Sequence, residues 1–320
     1  MAPPTCIEHL RRHEPRFTAV SRSAALALLL LAAPAEAATR GRLAFSLLAG
    51  GGYSSDAFVG AGLGPDGIVQ VAPAGRLDLS LSPRWKLAAA ADLSYGRYLS
   101  TEYTSVVESA AVEARWLGAS SWEASLTAGV EHAGYSIGSP LDPALVTSPT
   151  VSDTFAVSAS PLLRLRALGL EWRTAGLVGA RSSSAAGGDV PEHDYAALAG
   201  VMWPLAERVS LAASYKLAHT DSTRLDFTLD SHAVFAALSW RVGEVDLRAQ
   251  LQLQTAAFAT GARENLGRLT LGLTYPILPS ADLEVVYSFA GNHSNDPSRP
   301  SASRHLGFLA IRWRFAEVEW

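Results

Sequence analysis

The chain has 320 residues, 48% of them hydrophobic, and a formal charge of −4. Its 26 basic residues form no block among its 30 acidic ones, which speaks against a nucleic-acid partner. After residue 37 no apolar run approaches the ~20 residues of a helical span, which leaves out a helical membrane protein.

The first element is a secretory signal peptide. Arg11, Arg12, Arg16 and Arg22 form a basic region, and Ala24 to Ala33, with Leu28, Leu29, Leu30 and Leu31 inside it, is an apolar run too short to span a bilayer. Ala35-Glu36-Ala37 supplies the small-x-small cleavage signal. Residues 1–37 are therefore read as leader and 38–320 as one mature domain. Losing Glu8, Glu14 and Glu36 with the four arginines moves the formal charge to about −5. Cys6, the single cysteine, leaves as well, so the mature chain has no disulfide, thiolate metal site or Cys nucleophile.

Alternating segments follow at once, with Leu43, Phe45 and Leu47 in the first. The expected strands are 41–53, 67–82, 86–99, 104–117, 121–137, 152–167, 170–182, 193–204, 208–219, 225–241, 244–259, 264–276, 281–291 and 302–320. That is about fourteen, with twelve as the other even count. The clearest is 244–255. Val245, Leu247, Ala249, Leu251 and Leu253 fall on one face; Glu244, Asp246, Arg248, Gln250, Gln252 and Gln254 fall on the other. Pro161 interrupts the sixth span, where it removes a ladder donor and points to a bulge or a misplaced boundary.

The connections alternate in length. Those near 83–85, 118–120, 168–169, 205–207, 242–243 and 277–280 are tight. Those near 54–66, 138–151, 183–192 and 292–301 are long. Trp85, Trp116, Trp122, Trp172, Trp203, Trp240, Trp313 and Trp320 gather at the short-turn end. Tyr53, Tyr98, Tyr103, Tyr135, Phe155, Tyr195, Phe227 and Phe289 gather at the other. Indole and phenol rings prefer the membrane–water interface, so two aromatic belts around an aliphatic band read as a single closed antiparallel transmembrane β-barrel, all-β in class.

With these features the chain resembles the outer-membrane β-barrel proteins of Gram-negative bacteria. Its last segment, Phe308 to Trp320, is similar to the terminal strand of that class, which ends on an aromatic residue. Trp320, Val318 and Ala316 keep one phase while Phe315, Trp313 and Ile311 keep the other, so a bulge near Phe315 or Ala316 is expected. The resemblance implies residence in the outer membrane, contact with its lipid, and engagement of the barrel-assembly machinery by the C-terminal strand.

Function rests on the inward face. Lys86, Asp92, Glu113, Arg115, Glu123, Arg164, Arg166, Lys216, Asp246, Arg248, Arg268, Arg312 and Arg314 have inward phase, and with Asp78, Glu131, Glu171, Arg173, Arg241 and Glu284 the two signs come to near balance, eleven basic and eight acidic. Small inward residues (Ala88, Ala90, Ala111, Gly129, Gly179, Gly200, Gly272) leave space. No plug domain lies between the leader and the first strand. The expected function is a porin-like channel for small hydrophilic solutes with little ion preference. The loop near Ser139 to Pro149 is the expected gate. A non-conducting barrel serving envelope assembly, export or adhesion is the alternative, and a rim hydrolase using His219 with Asp221, or His232 with Ser231, comes third.

Gly62 to Gly67 spells G-x-G-x-x-G without a strand–helix context, so it reads as a loop rather than a dinucleotide site. His132, His193, His219, His232, His293 and His305 map near the long-loop end without metal-ligand spacing. No catalytic, metal or cofactor motif is expected.

The terminal aromatic yields a test. Deleting Trp320 should lower the amount of folded barrel in the outer membrane, measured by heat-dependent gel migration of membrane fractions. Unchanged levels of a chain ending at Glu319 would speak against a role for this residue in insertion.

Overall fold

The computed structural model describes residues 40–55, 65–100, 104–118, 121–134, 153–185, 188–296 and 301–319. The leader, the loop 139–149, Gly62 to Gly64, Tyr103, Tyr135 and Trp320 lie outside them.

Fourteen strands form one closed antiparallel barrel. They are β1 (Arg40–Ser54), β2 (Asp66–Ser80), β3 (Trp85–Tyr98), β4 (Thr104–Leu117), β5 (Trp122–Gly134), β6 (Asp153–Ala167) and β7 (Leu170–Ala185). The second half is β8 (Gly188–Ala206), β9 (Val209–Ser222), β10 (Leu229–Val242), β11 (Val245–Phe258), β12 (Arg263–Leu278), β13 (Ala281–Ser294) and β14 (Ala302–Glu319). Each strand pairs with its sequence neighbours, and β1 pairs with β14 to close the ring. Fourteen strands, not twelve, enclose the lumen.

Residues opposed across a ladder share a face, so the register carries one facing assignment around the barrel. Leu251 opposes Ala236 and Leu269, Leu269 opposes Phe289, and Val285 opposes Leu309. Gln252 opposes Phe235 and Arg268 on the other face. A contact skipping strands shows which face is inner. The Arg304 guanidinium of β14 donates to the Tyr98 hydroxyl of β3 at 3.3 Å, past β1 and β2, and only the concave side permits that chord. The face of Arg304 is therefore inner, and the aliphatic residues point outward. The usual soluble arrangement is inverted: Leu251, Leu253, Val234, Leu126 and Leu309 are exposed on the outside.

Turn chemistry explains the tight end. Ala167 opposes Leu170 across a two-residue connection in which Leu168 has φ 57° and Gly169 has φ 73°. Positive φ at both central residues marks a type I′ hairpin, whose twist suits the flanking strands. Gly169 adopts it without penalty, whereas Leu168 has a Cβ against the carbonyl.

Several boundaries differ from the sequence reading. Residues 183–192 are not a long loop: β7 runs to Ala185 and β8 restarts at Gly188, because Ser182, Ser183 and Ser184 oppose Pro191, Val190 and Asp189 in continuous register. β10 begins at Leu229 rather than 225, since 222–228 closes on itself through Thr228, whose hydroxyl donates to Ser222 O at 3.1 Å. Pro161 causes neither a bulge nor a break. The β6–β7 register is the same on both sides of it, and the Ser160 hydroxyl donates to Gly176 O at 2.8 Å, in the gap left by the missing proline N–H. The C-terminal bulge is present: Ser46 opposes Arg314 and Ala44 opposes Glu317, so one residue of β1 faces two of β14, Phe315 and Ala316.

Two measurements follow. Leu251→Arg should cost about 2–4 kcal/mol in denaturant unfolding of the bilayer-inserted barrel, while Gln252→Arg on the inner face should be mild. Equal tolerance would invalidate the facing. Leu168→Asn, which accepts left-handed φ more readily, should raise stability by about 1 kcal/mol; an unchanged or lower midpoint would show that the turn carries no strain.

Candidate functional site

The inner wall is built residue by residue from the ladders. Lys86 opposes Arg115, Asp92 opposes Ser109, Glu123 opposes Arg164, and Arg166 opposes Glu171. Lys216 opposes Leu198 and Ala233, Arg248 opposes Ser239 and Gly272, and Arg268 opposes Gln252 and Ala290. Asp246 opposes Arg241, Arg312 opposes Asp282, and Arg314 opposes Ser46. Glu113 opposes Ala88 and Thr127. All thirteen charged candidates thus lie on the inner face, in two kinds of setting.

On β2 to β7 the charges interlock. Arg76 pairs with Asp78 at 2.8 Å. Arg115 holds Glu113 at 2.9 Å and Glu123 at 3.3 Å, and Arg164 reaches the same Glu123 at 3.4 Å. Arg173 and Arg166 share Glu171 at 2.6 and 3.6 Å. Arg181 pairs with Glu192 at 2.7 Å. Arg312 meets Glu284 at 2.5 Å and Arg314 meets Asp282 at 3.1 Å beside the seam. Each of these pairs joins residues of one strand or of adjacent strands, so the side chains lie along the wall. At the short-turn end this wall opens on a cavity of about 760 Å³ lined by Arg42, Asp78, Lys86, Glu113, Arg115 and Glu319.

At the long-loop end the inner face turns apolar. Ile68, Tyr98, Leu306 and Phe308 form a buried apolar cluster on the inner face, capped by Arg304, which also donates to Ser54 Oγ at 2.9 Å. Ala256, Phe258, Ala262 and Leu229 form a second. Tyr98 had been placed in the outer aromatic belt. It opposes Ile68 instead, one residue out of phase with outward-facing Tyr95 and Arg97, and is a pore-side residue. Phe235, Ile68 and Phe308 are further inner residues that sequence reasoning missed. Their apolar character hides their phase, and only the parity of each strand counted from its polar neighbours could have exposed them.

The outer face carries two belts. Trp85, Trp116, Trp122, Trp172, Trp203, Trp240 and Trp313 all have outward register at the short-turn end. Trp85 stacks on Trp116 at 6.4 Å between centroids, and Trp116 meets Trp122 edge-on at 4.5 Å. The opposite rim is histidine-rich. The Tyr215 hydroxyl meets His232 Nδ1 and the Tyr287 hydroxyl meets His305 Nδ1, each at 2.7 Å. His219 lies 2.8 Å from Asp230, His132 3.6 Å from Glu108, and His293 3.1 Å from Ser301.

The rim does not assemble the hydrolase pairs considered from sequence. Ser231 and His232 are consecutive and point to opposite faces, Ser231 buried inside and His232 exposed outside. His219 takes Asp230 rather than Asp221, which opposes His193. Among the described residues no group of three His, Cys, Asp or Glu side chains is placed to hold a metal ion.

No family model and no curated protein sequence matches the chain. Solved structures do match its fold. OmpT, an outer membrane protein of Vibrio cholerae, superposes in its outer-membrane-expressed form with TM-score 0.52 at 11% identity, over 86% of this chain and 98% of that one. Its in-vitro folded trimer form gives 0.51 at 12% identity, over 86% and 99%. The P. putida toluene transporter TodX gives 0.50 at 11% identity, over 87% and 90%. At such identities the likeness is one of fold. The chain, a closed fourteen-stranded antiparallel barrel, apolar outside, polar inside and belted with tryptophan, has the fold of the outer-membrane β-barrels.

Proposed function

We propose that the barrel is a passive, porin-like channel for small hydrophilic solutes, with the inner charged residues as its lining. The observation that carries this reading is the lie of the ion pairs. Arg115 holds Glu113 of its own strand at 2.9 Å, and Glu123 joins Arg115 and Arg164 of the two neighbouring strands at 3.3 and 3.4 Å, so the pairs lie along the wall. A lumen closed by electrostatics would use bridges running from one side to the other. Small inner residues support the same conclusion: Ala90 opposes Ala111, and Ala111 opposes Gly129, so three adjacent strands project almost no side chain at one level. A polar lining lets a hydrated solute exchange water for wall contacts at little cost.

Planar-bilayer recording tests this. The refolded mature chain, 38–320, should show stepwise ion conductance. Ala111→Trp should lower the step size while the barrel still folds, because a bulky ring then fills a level that small residues keep open. Electrical silence of the unmodified chain would remove the channel reading and put the envelope-assembly barrel in its place.

A further inference from the structure

The inner cations differ in their partners, Lys86 of β3 standing between Ser80 and Arg115. Every inward arginine of β2 to β7 lies against an acid. Lys216 of β9 and Arg248 of β11 do not. The ladder neighbours of Lys216 are Leu198 and Ala233, and those of Arg248 are Ser239 and Gly272. The acid nearest to Arg248 along its strand is Asp246, which Arg241 already grips by two hydrogen bonds of 2.6 and 2.9 Å. Among the described residues Lys216 has no acidic partner, and Arg248 has only the electrostatic attraction of the Asp246 that Arg241 holds.

Between these two cations runs a ladder of amides. Gln250, Gln252 and Gln254 follow Arg248 on the inner face of β11, and Gln252 Nε2 donates to Gln254 Oε1 at 3.0 Å. Lys216 stands in the row of Gln254, two strands away through Ala233. Phe235 opposes Gln252 on one side and Arg268 opposes it on the other. One patch of wall therefore offers fixed positive charge, primary amides and an aromatic ring.

Each part selects a different chemical feature. An ammonium without a carboxylate partner, beside a guanidinium whose one acid is held by another arginine, binds a carboxylate or phosphate. Primary amides both donate and accept, which matches neighbouring hydroxyls that do the same. The Phe235 ring packs against the C–H face of a small ring. We infer that the β9–β12 wall is a recognition track for small hydroxylated organic anions, sugar acids being the simplest class with all three features. This rests on the channel reading above and gives it a solute class. A neutral sugar lacks the charge, and chloride lacks both the hydroxyls and the ring.

Bilayer recording with potassium glucuronate and glucose as probes decides it. In a KCl gradient the unmodified channel should pass anions over cations. Glucuronate should reduce the current at concentrations where glucose does not. Lys216→Gln with Arg248→Gln should lower the anion-to-cation permeability ratio about tenfold per charge, the square of the Boltzmann factor for unit charges about 6 Å apart in water, and should abolish the glucuronate effect. Lys216→Arg with Arg248→Lys should keep both properties, and heat-shifted gel migration verifies that each variant folds. A conducting channel without anion preference, or one whose selectivity survives the double Gln variant, overturns the track and leaves the channel standing. Anion preference with equal insensitivity to glucuronate and glucose overturns the solute class. A silent unmodified protein overturns both.

Discussion

Closure of the ring is the constraint on which everything else depends. Bilayer hydrocarbon holds no water to satisfy a free backbone N–H or C=O, so an open sheet edge is untenable there and only a sheet whose last strand pairs with its first can stand. In this chain that seam is β1 against β14, from Ser54–Leu306 at one end to Arg42–Glu319 at the other. Close approach at the seam is bought with glycine. A Cβ on Gly52 would sit 2.8 Å from Phe308 Cδ2, and one on Gly50 would sit 2.6 Å from the Ala310 Cβ. The Phe308 ring lies where the first of these side chains would be, which ties the inner apolar cluster of the mouth to the act of closure.

Closure also explains the bulge. The aliphatic phase of β14 serves the outer face through Leu309, Ile311 and Trp313, and the extra residue at Phe315–Ala316 flips that phase so that Val318 can oppose outward-facing Leu43. A one-residue slip without it would turn every later side chain of the strand to the wrong face. The local irregularity thus preserves the global facing on the last strand.

Much of this was written in the alternation. A side chain of β11 such as Leu251 or Gln252 announces its face because aliphatic and polar residues differ so strongly in lipid, and tryptophan announces height because indole prefers the interface. Where the contrast weakens, so does legibility. Residues 183–192 look like a loop because Ser, Gly, Asp and Pro are turn formers, yet the β7–β8 ladder pairs Ser183, Ser184 and Ala185 with Val190, Asp189 and Gly188. Pro161 looked disruptive because a proline advertises its missing donor, while the compensating Ser160 hydroxyl becomes visible only once Gly176 is known to lie within its reach. Tyr98 and Phe235 resemble outward residues in type and differ from them only in parity.

The charges of the lumen teach the same lesson at longer range. A count of inward Arg, Lys, Asp and Glu comes out close to balance, and from that count a featureless interior follows. Distance decides otherwise. Arg173 and Glu171 at 2.6 Å, or Arg181 and Glu192 at 2.7 Å, act from across the pore as small dipoles, whose potential falls off faster than that of a lone charge. Screening in physiological salt acts over about 8 Å and weakens what remains of them. Lys216, set between Leu198 and Ala233, has no such neighbour, and Arg248, between Ser239 and Gly272, shares Asp246 with Arg241. On the proposed channel reading this wall adds positive potential that a solute would meet.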